Sequence, residues 1–280
     1  MAMRSEDLTA AERLVWDAFP RGELVDLRVG DPAHDDPAVG AGWGADRTIR
    51  ADVIRAILLG GLEAEPGAVA LVKVAGARVA GCLDLVHAEL SCPLYLEHCW
   101  FEESPDLRWA VARYLDLSGS CLPGLMADDL RVDGQLVLTG CQINETGRPP
   151  AASRVGRGLG EKRPPGLAIS ATRITVTAGM FMDGGFTADG QIRLIAAHIA
   201  GALSLSGAQL RNPGAIALLA PHLTVDGPVY CRDGFTADGE VVFRRAHITD
   251  FLDLRGAPVQ PGRLRAVCTR PGSRGRRGLP

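Results

Sequence analysis

The chain is short of lysine and of aromatic residues. Only Lys73 and Lys162 are lysines among 30 basic residues. Aromatics make up 5% of the sequence against 46% apolar residues overall, so a core must be built from Leu, Ile, Val and Ala. The seven cysteines (Cys82, Cys92, Cys99, Cys121, Cys141, Cys231 and Cys268) are odd in number and form no C-x-x-C. The opening MAMRSEDLTAAERL holds no apolar leader segment. Reduced thiols in a cytoplasm follow as the expectation. Apolar runs such as positions 215–220 fall far below the ~20 residues that span a bilayer. A transmembrane helix is thereby excluded, and peripheral membrane contact stays open.

What the chain has in quantity is turn formers, 34 Gly and 18 Pro, too many for a helical bundle. Its net charge is −3, unevenly spread. Arg263, Arg265, Arg270, Arg274, Arg276 and Arg277 crowd the last residues, and without these six the rest stands at −9. An acidic body argues against nonspecific nucleic-acid binding by that body.

The chain also repeats itself. GFTADGQIRLIAAHIAGALSLSGAQL (185–210) and GFTADGEVVFRRAHITDFLDLRGAPV (234–259) are 49 positions apart and identical at 13 of 26 positions. The motif L-x-L-x-G-[small]-x-[aliphatic] recurs at Leu115, Leu136, Leu203 and Leu252, with a variant at Leu83 where His87 replaces the Gly. A second motif, D-G-x-[apolar]-x-[apolar], starts at Asp133, Asp189, Asp226 and Asp238. Alternate apolar residues predict strands, and Asp-Gly predicts turns. Strand starts at Ile192, Leu203, Ile216, Val229, Val241 and Leu252 step by 11 to 13, with Ile199, Leu210, Leu223, Phe235, Ile248 and Val259 interleaved. An inward residue about every six positions gives coils of roughly 24 residues, two to each 49-residue repeat. The expected fold is an all-β solenoid, a right-handed parallel β-helix.

Residues 1–66 are expected to form a helical N-terminal cap, 67–260 the β-helix, and 261–280 a disordered Arg-rich tail. Within the cap, Leu8 to Phe19 predicts an amphipathic helix with Thr9 and Glu12 as capping box and Leu14, Val15 and Phe19 as its apolar face. Thr48 to Leu59 predicts a second helix, ended by Gly60-Gly61. Positions 146–166 (TGRPPAASRVGRGLGEKRPPG) lose the period and predict a flexible basic insertion. No C-terminal cap is evident.

GAxIxGxLxLxGAxL, as at 197–210, resembles a loose form of the pentapeptide repeat, with Ala197/Ile199, Ala208/Leu210 and Ala246/Ile248 at its two inward positions. The spacing is six rather than five. The resemblance implies a right-handed quadrilateral β-helix. LTxAERxxxDAFPRGExVDLR at 8–28, IRADVIRAILLG at 49–60 and the later coils also resemble an actinobacterial group labelled membrane-associated oxidoreductase, over roughly residues 8–260. That likeness implies a redox activity but supplies no catalytic residue to carry over. Proteins of that group continue with more coils, which implies that the Arg-rich end is a truncation or a changed reading frame.

Every chemical candidate has a plainer reading. Gly156, Gly158 and Gly160 form G-x-G-x-G, not the dinucleotide fingerprint, and read as linker glycines. His198 and His247 fall at equivalent places two coils apart, too far to share a metal ion. His87, Cys92, His98 and Cys99 are metal-ligand types at spacings that match no zinc pattern. Ser118, Ser120, Ser170 and Ser206 lack the G-x-S-x-G elbow. Asp84, Asp116 and Asp253, each between leucines, are expected to point outward as an acidic solvated face. Trp16, Trp43, Trp100 and Trp109 are expected to anchor the cap to the first coils. No catalytic, cofactor-binding or metal residue is therefore assigned, and no cofactor. The reading is a non-catalytic repeat scaffold presenting an elongated acidic surface to a macromolecular partner, a protein rather than a specific nucleic acid. Its alternatives are a membrane-peripheral oxidoreductase and a truncated product without activity. A homodimer through the uncapped last coil stays open.

Overall fold

The computed structural model describes residues 7–144 and 166–256, with the backbone of Leu264–Val267. It is a parallel β-solenoid of about seven turns with coils of about 23 residues. One coil shows the plan. Leu115–Asp116, Cys121–Leu122, Leu125–Met126 and Arg131–Val132 are four short strands, and Leu136–Val137 opens the next coil. Each stacks in parallel on its counterpart: Leu115 on Leu136, Cys121 on Gln142, Leu125 on Ile169 and Arg131 on Thr175. These four ladders are faces 1 to 4. Faces 2 and 3 merge into one twelve-stranded sheet because Gln209–Leu219 and Thr236–Arg244 run through the corner between them. The 49-residue repeat is two coils, since Thr187 pairs with Gln209 and Gln209 with Thr236.

Alternation explains the interior. Leu115, Leu117, Leu136, Leu138, Leu203 and Leu205 are buried, while Asp116 and Val137 between the first two pairs are half-buried and Ser204 between the third is itself covered. At two opposite corners one residue per coil takes the left-handed conformation, and its N–H continues the ladder. Gly119 donates to Thr139 O at one corner, and Ala196 to Pro221 O at the other. The first corner is mostly glycine, as the motif requires. The second is held by His87, Trp109, Asp129, Arg173, Ala196, His222 and Arg245, all at positive φ. A Cβ there costs about 1–2 kcal/mol. Ala196 is exposed at φ +52°, so Ala196→Gly is expected to raise stability by about 0.5–1 kcal/mol, measured by urea unfolding. The Asp-Gly pairs divide in role. Gly190 and Gly239 have φ of +120° and +149°. Gly227 instead permits close stacking, because a Cβ there would lie 2.8 Å from the backbone of Gly201.

The N-terminal segment follows the prediction in part. Helix α1 spans Ala10–Ala18 with both halves of the Thr9/Glu12 capping box formed. Val15 and Phe19 are buried, but Leu14 is 55% exposed, and Ala11 and Ala18 complete the apolar face instead. Thr48–Arg50 is a strand, not the start of a helix, because it pairs with Arg78–Ala80 and inserts Ile49 into the core. Helix α2 runs Ala51–Ala56 and continues as a π turn over Ile57–Gly61, where Gly60 at φ +84° ends it as expected. Val25–Asp26 likewise opens face 1 by pairing with Val74–Ala75. Two ladders thus begin within the first 50 residues, and α1 lies across their end against strands Thr48–Arg50 and Val72–Ala75.

At the other end, Leu264–Val267 pairs in parallel with Val241–Arg244. This strand lies beyond position 260, where the sequence pattern ends, because the free edge of Val241–Arg244 accepts a further backbone. The remainder of 261–280 lies outside the described residues, as do 145–165 of the expected insertion. That insertion falls between face 2 (Gln142–Ile143) and face 3 (Leu167–Ser170), and the register passes over it, with Leu136 on Met180 and Arg131 on Thr175. Among the described residues no helix is long and apolar enough to cross a membrane.

Candidate interaction face

Face 1 carries side chains unlike those of the other three. Its strands align Lys73, Tyr95, Asp116, Val137, Phe181, Ser204, Tyr230 and Asp253 in one outward file. Eight rungs at about 4.8 Å span about 34 Å. Tyr114 and Phe251 stand immediately before strands of the same face, so all three tyrosines of the chain lie here. Tyr95 and Tyr114 have ring centroids 5.0 Å apart, and Tyr230 meets Phe251 edge-on at 5.7 Å. Lys73 Nζ lies 5.5 Å from the Tyr95 ring, and the Arg232 guanidinium 4.6 Å from that of Tyr230. Gly179 makes room for Phe181, since a Cβ there would come within 2.7 Å of the ring.

The three aspartates read as a solvated acidic face do not form one. Asp84 belongs to face 3, where it bridges Asp106. Asp116 and Asp253 are on face 1, but Asp253 is 6% exposed. Its carboxylate accepts the backbone N–H, Nε and Nη2 of Arg255, with Arg232 Nη1 at 3.5 Å. The Arg255 guanidinium, that backbone N–H and Arg232 hold the group far below the usual carboxylate range. The shared device is local: Asp84 accepts the N–H of Val86, Asp116 that of Ser118 and Asp253 that of Arg255, each two residues on. Asp26/Arg28 and Asp106/Arg108 repeat the Asp-x-Arg clamp. Much of the acidity is consumed in turns, a signal present in the sequence as D-L-R.

The other candidates are dispersed. His198 is outward on face 4 and meets Asp226 at 2.9 Å; Thr224 separates it from His247. His87 and His98 occupy left-handed corners, His87 stacked on Trp109 at 5.0 Å, while Cys92 and Cys99 are buried. Among the described residues no three His, Cys, Asp or Glu side chains are placed to hold a metal ion. Ser118 donates to Asp116, Ser120 to Leu96 O and Ser170 to Asp128. Gly156, Gly158 and Gly160 lie outside the described residues. Trp43 and Trp100 do anchor the N-terminal segment: with Cys121 they form a small cluster on face 2, Gly40 seats on Trp100, and Arg47 stacks 3.6 Å from Trp43. Trp16 packs partly buried against the main core, and Trp109 is 37% exposed at its corner. A shallow cleft of about 320 Å³ beside Trp43 is flanked by Arg50 and Arg78, but Glu12 and Glu102 already pair with them.

Burial governs the thiols of the described residues. Burial pushes Cys82, Cys99 and Cys231 up to about 12, and raises Cys92 and Cys141. Cys99 and Cys141 also donate to the carbonyls of Glu97 and Leu117. At pH 8 Cys82, Cys99 and Cys231 are expected to react with an aromatic disulfide about a thousandfold more slowly than in denaturant, followed by thiolate absorbance.

The fold and its ladders define a parallel β-solenoid repeat protein. No protein-family model, curated protein or solved structure matches the chain, so the oxidoreductase label gains no support from known proteins.

Proposed function

We propose that this protein is a non-catalytic repeat scaffold that binds a protein partner along face 1. The observation that carries the reading is the aligned file from Tyr95 to Tyr230, in which half-buried rings recur along about 24 Å of rigid sheet. Solenoids bind through such extended surfaces, and aromatic side chains supply much of the energy of protein interfaces. The acidic character expected of the surface narrows on this face to Glu97 and Asp116, because Asp253 is neutralised. A cytoplasmic setting, peripheral contact with a membrane and a homodimer through the last coil remain parts of the proposal.

The test is native mass spectrometry of protein purified from its own host, alongside a Phe181→Ser/Tyr230→Ser variant. The expected result is a stoichiometric protein complex that the variant loses while its circular dichroism stays unchanged. A bare chain, or a complex indifferent to both substitutions, overturns the reading. Release of a flavin or nicotinamide on denaturation would favour the oxidoreductase instead.

A further inference from the structure

The geometry points to a site on face 1, formed by Tyr95, Tyr114, Glu97 and Asp116, that receives an arginine side chain from a basic segment of the partner. It rests on the scaffold reading and names the chemistry of one contact. Tyr95 and Glu97 lie on one strand two residues apart, so both project outward, and Asp116 stands beside Tyr95 in the adjoining coil. Tyr114 completes the group, its ring tilted 31° to that of Tyr95. Among the described residues neither Glu97 nor Asp116 forms an ion pair. Asp116 spends one oxygen on Ser118 and also interacts with the Tyr114 phenol, and Glu97 is within electrostatic reach of Arg28.

The sheet therefore sets two carboxylates, neither in an ion pair among the described residues, around two half-buried rings. Burial raises both phenols, and Asp116 and Glu97 raise them further, which reports negative potential at the rings. Of the cations nearby, Lys73 lies toward the Tyr95 ring and Arg28 is felt at Glu97, and neither stacks on Tyr114. A guanidinium suits such a place better than an ammonium: its plane stacks on an aromatic face while its edge donates to a carboxylate. Elsewhere on the chain that combination is already made internally, as where Arg47 stacks on Trp43 and donates to Asp35. At Tyr114 the rings and the carboxylates are present, and no arginine among the described residues stacks there.

The test uses a labelled hexa-arginine peptide as probe, with hexa-lysine for comparison, read by fluorescence anisotropy at fixed salt. The full chain is expected to bind hexa-arginine more tightly than hexa-lysine. Tyr114→Leu, which keeps every charge, should weaken hexa-arginine binding about tenfold. Asp116→Asn should weaken it similarly, and Lys73→Ala should strengthen it. Asp46→Asn, on the exposed N-terminal loop, controls for general charge and should change it little. Unchanged affinity in Tyr114→Leu, or equal losses in Asp116→Asn and Asp46→Asn, overturns the site. Either result leaves the scaffold reading standing on its own Phe181/Tyr230 test.

Discussion

Replacing Glu12 with alanine is expected to cost about 3 kcal/mol and to release α1 from the end of the solenoid. The carboxylate is fully buried and accepts four N–H groups: Thr9 N at 2.9 Å, Arg50 N at 3.0 Å, and Arg50 Nε and Nη2 at 2.7 Å. It therefore closes the helix cap and ties the helix to the first strand of face 2. Arg50 keeps about half its surface in water, so its charge is resolvated when the partner is lost, which holds the cost at the low end for a broken buried pair. Burial pushes the Glu12 carboxyl up, but the Arg50 guanidinium and the N–H groups of Thr9 and Arg50 outweigh it and hold it below its ordinary value. A depressed native pKa gives stability that is fully present above the unfolded value, about 4.3, and is lost as pH falls through the native one. Glu12→Gln should thus be clearly weaker than the parent in urea at pH 7, with the difference closing toward pH 3. A constant difference would show that Glu12 acts through packing alone.

Phe186→Ala is expected to cost about 3–5 kcal/mol and to divide unfolding into two steps. The ring is fully buried near the middle of the array. The chain to either side of it pairs with Cys141 and Gln209, and the inward residues there, Cys141 and Ala208, are small, so the ring fills space they leave. Each coil is held mainly by its neighbours, so weakening one coil uncouples the two ends. All four tryptophans precede residue 110 and report only on the N-terminal coils. In urea the variant should show a circular dichroism step that tryptophan fluorescence does not register. Coincident transitions would mean that the solenoid folds as one unit through its middle.

The coil was legible because its signal is periodic. Leu-x-Leu followed by Gly, spaced by coil, gave faces and turns alike, and Ala197/Ile199 and Ala208/Leu210 are buried as expected. Face 1 was legible in principle, since its outward file is the middle residue of each aliphatic-x-aliphatic triplet. Tyr95, Phe181 and Tyr230 share that place with Asp116 and Asp253, and no single residue type marks it. Asp253 was misjudged because alternation gives direction and says nothing of an arginine two residues on. Thr48–Arg50 has helical neighbours in sequence, and only its pairing with Arg78–Ala80 makes it a strand. The left-handed corner of His87, Trp109 and Arg173 carries no glycine to announce it.

All of this depends on one unbroken stack that brings outward side chains into file. Its most direct test is the distance between spin labels at Glu89→Cys and His247→Cys, with Cys268→Ser, measured by pulsed electron resonance. Both positions lie on face 4, linked through Val111, Arg131, Thr175, His198 and Thr224. Six strand spacings predict a single narrow distribution centred near about 29 Å. A broad distribution, or a centre beyond about 45 Å, would mean that the register does not pass over residues 145–165 and that the faces are not continuous.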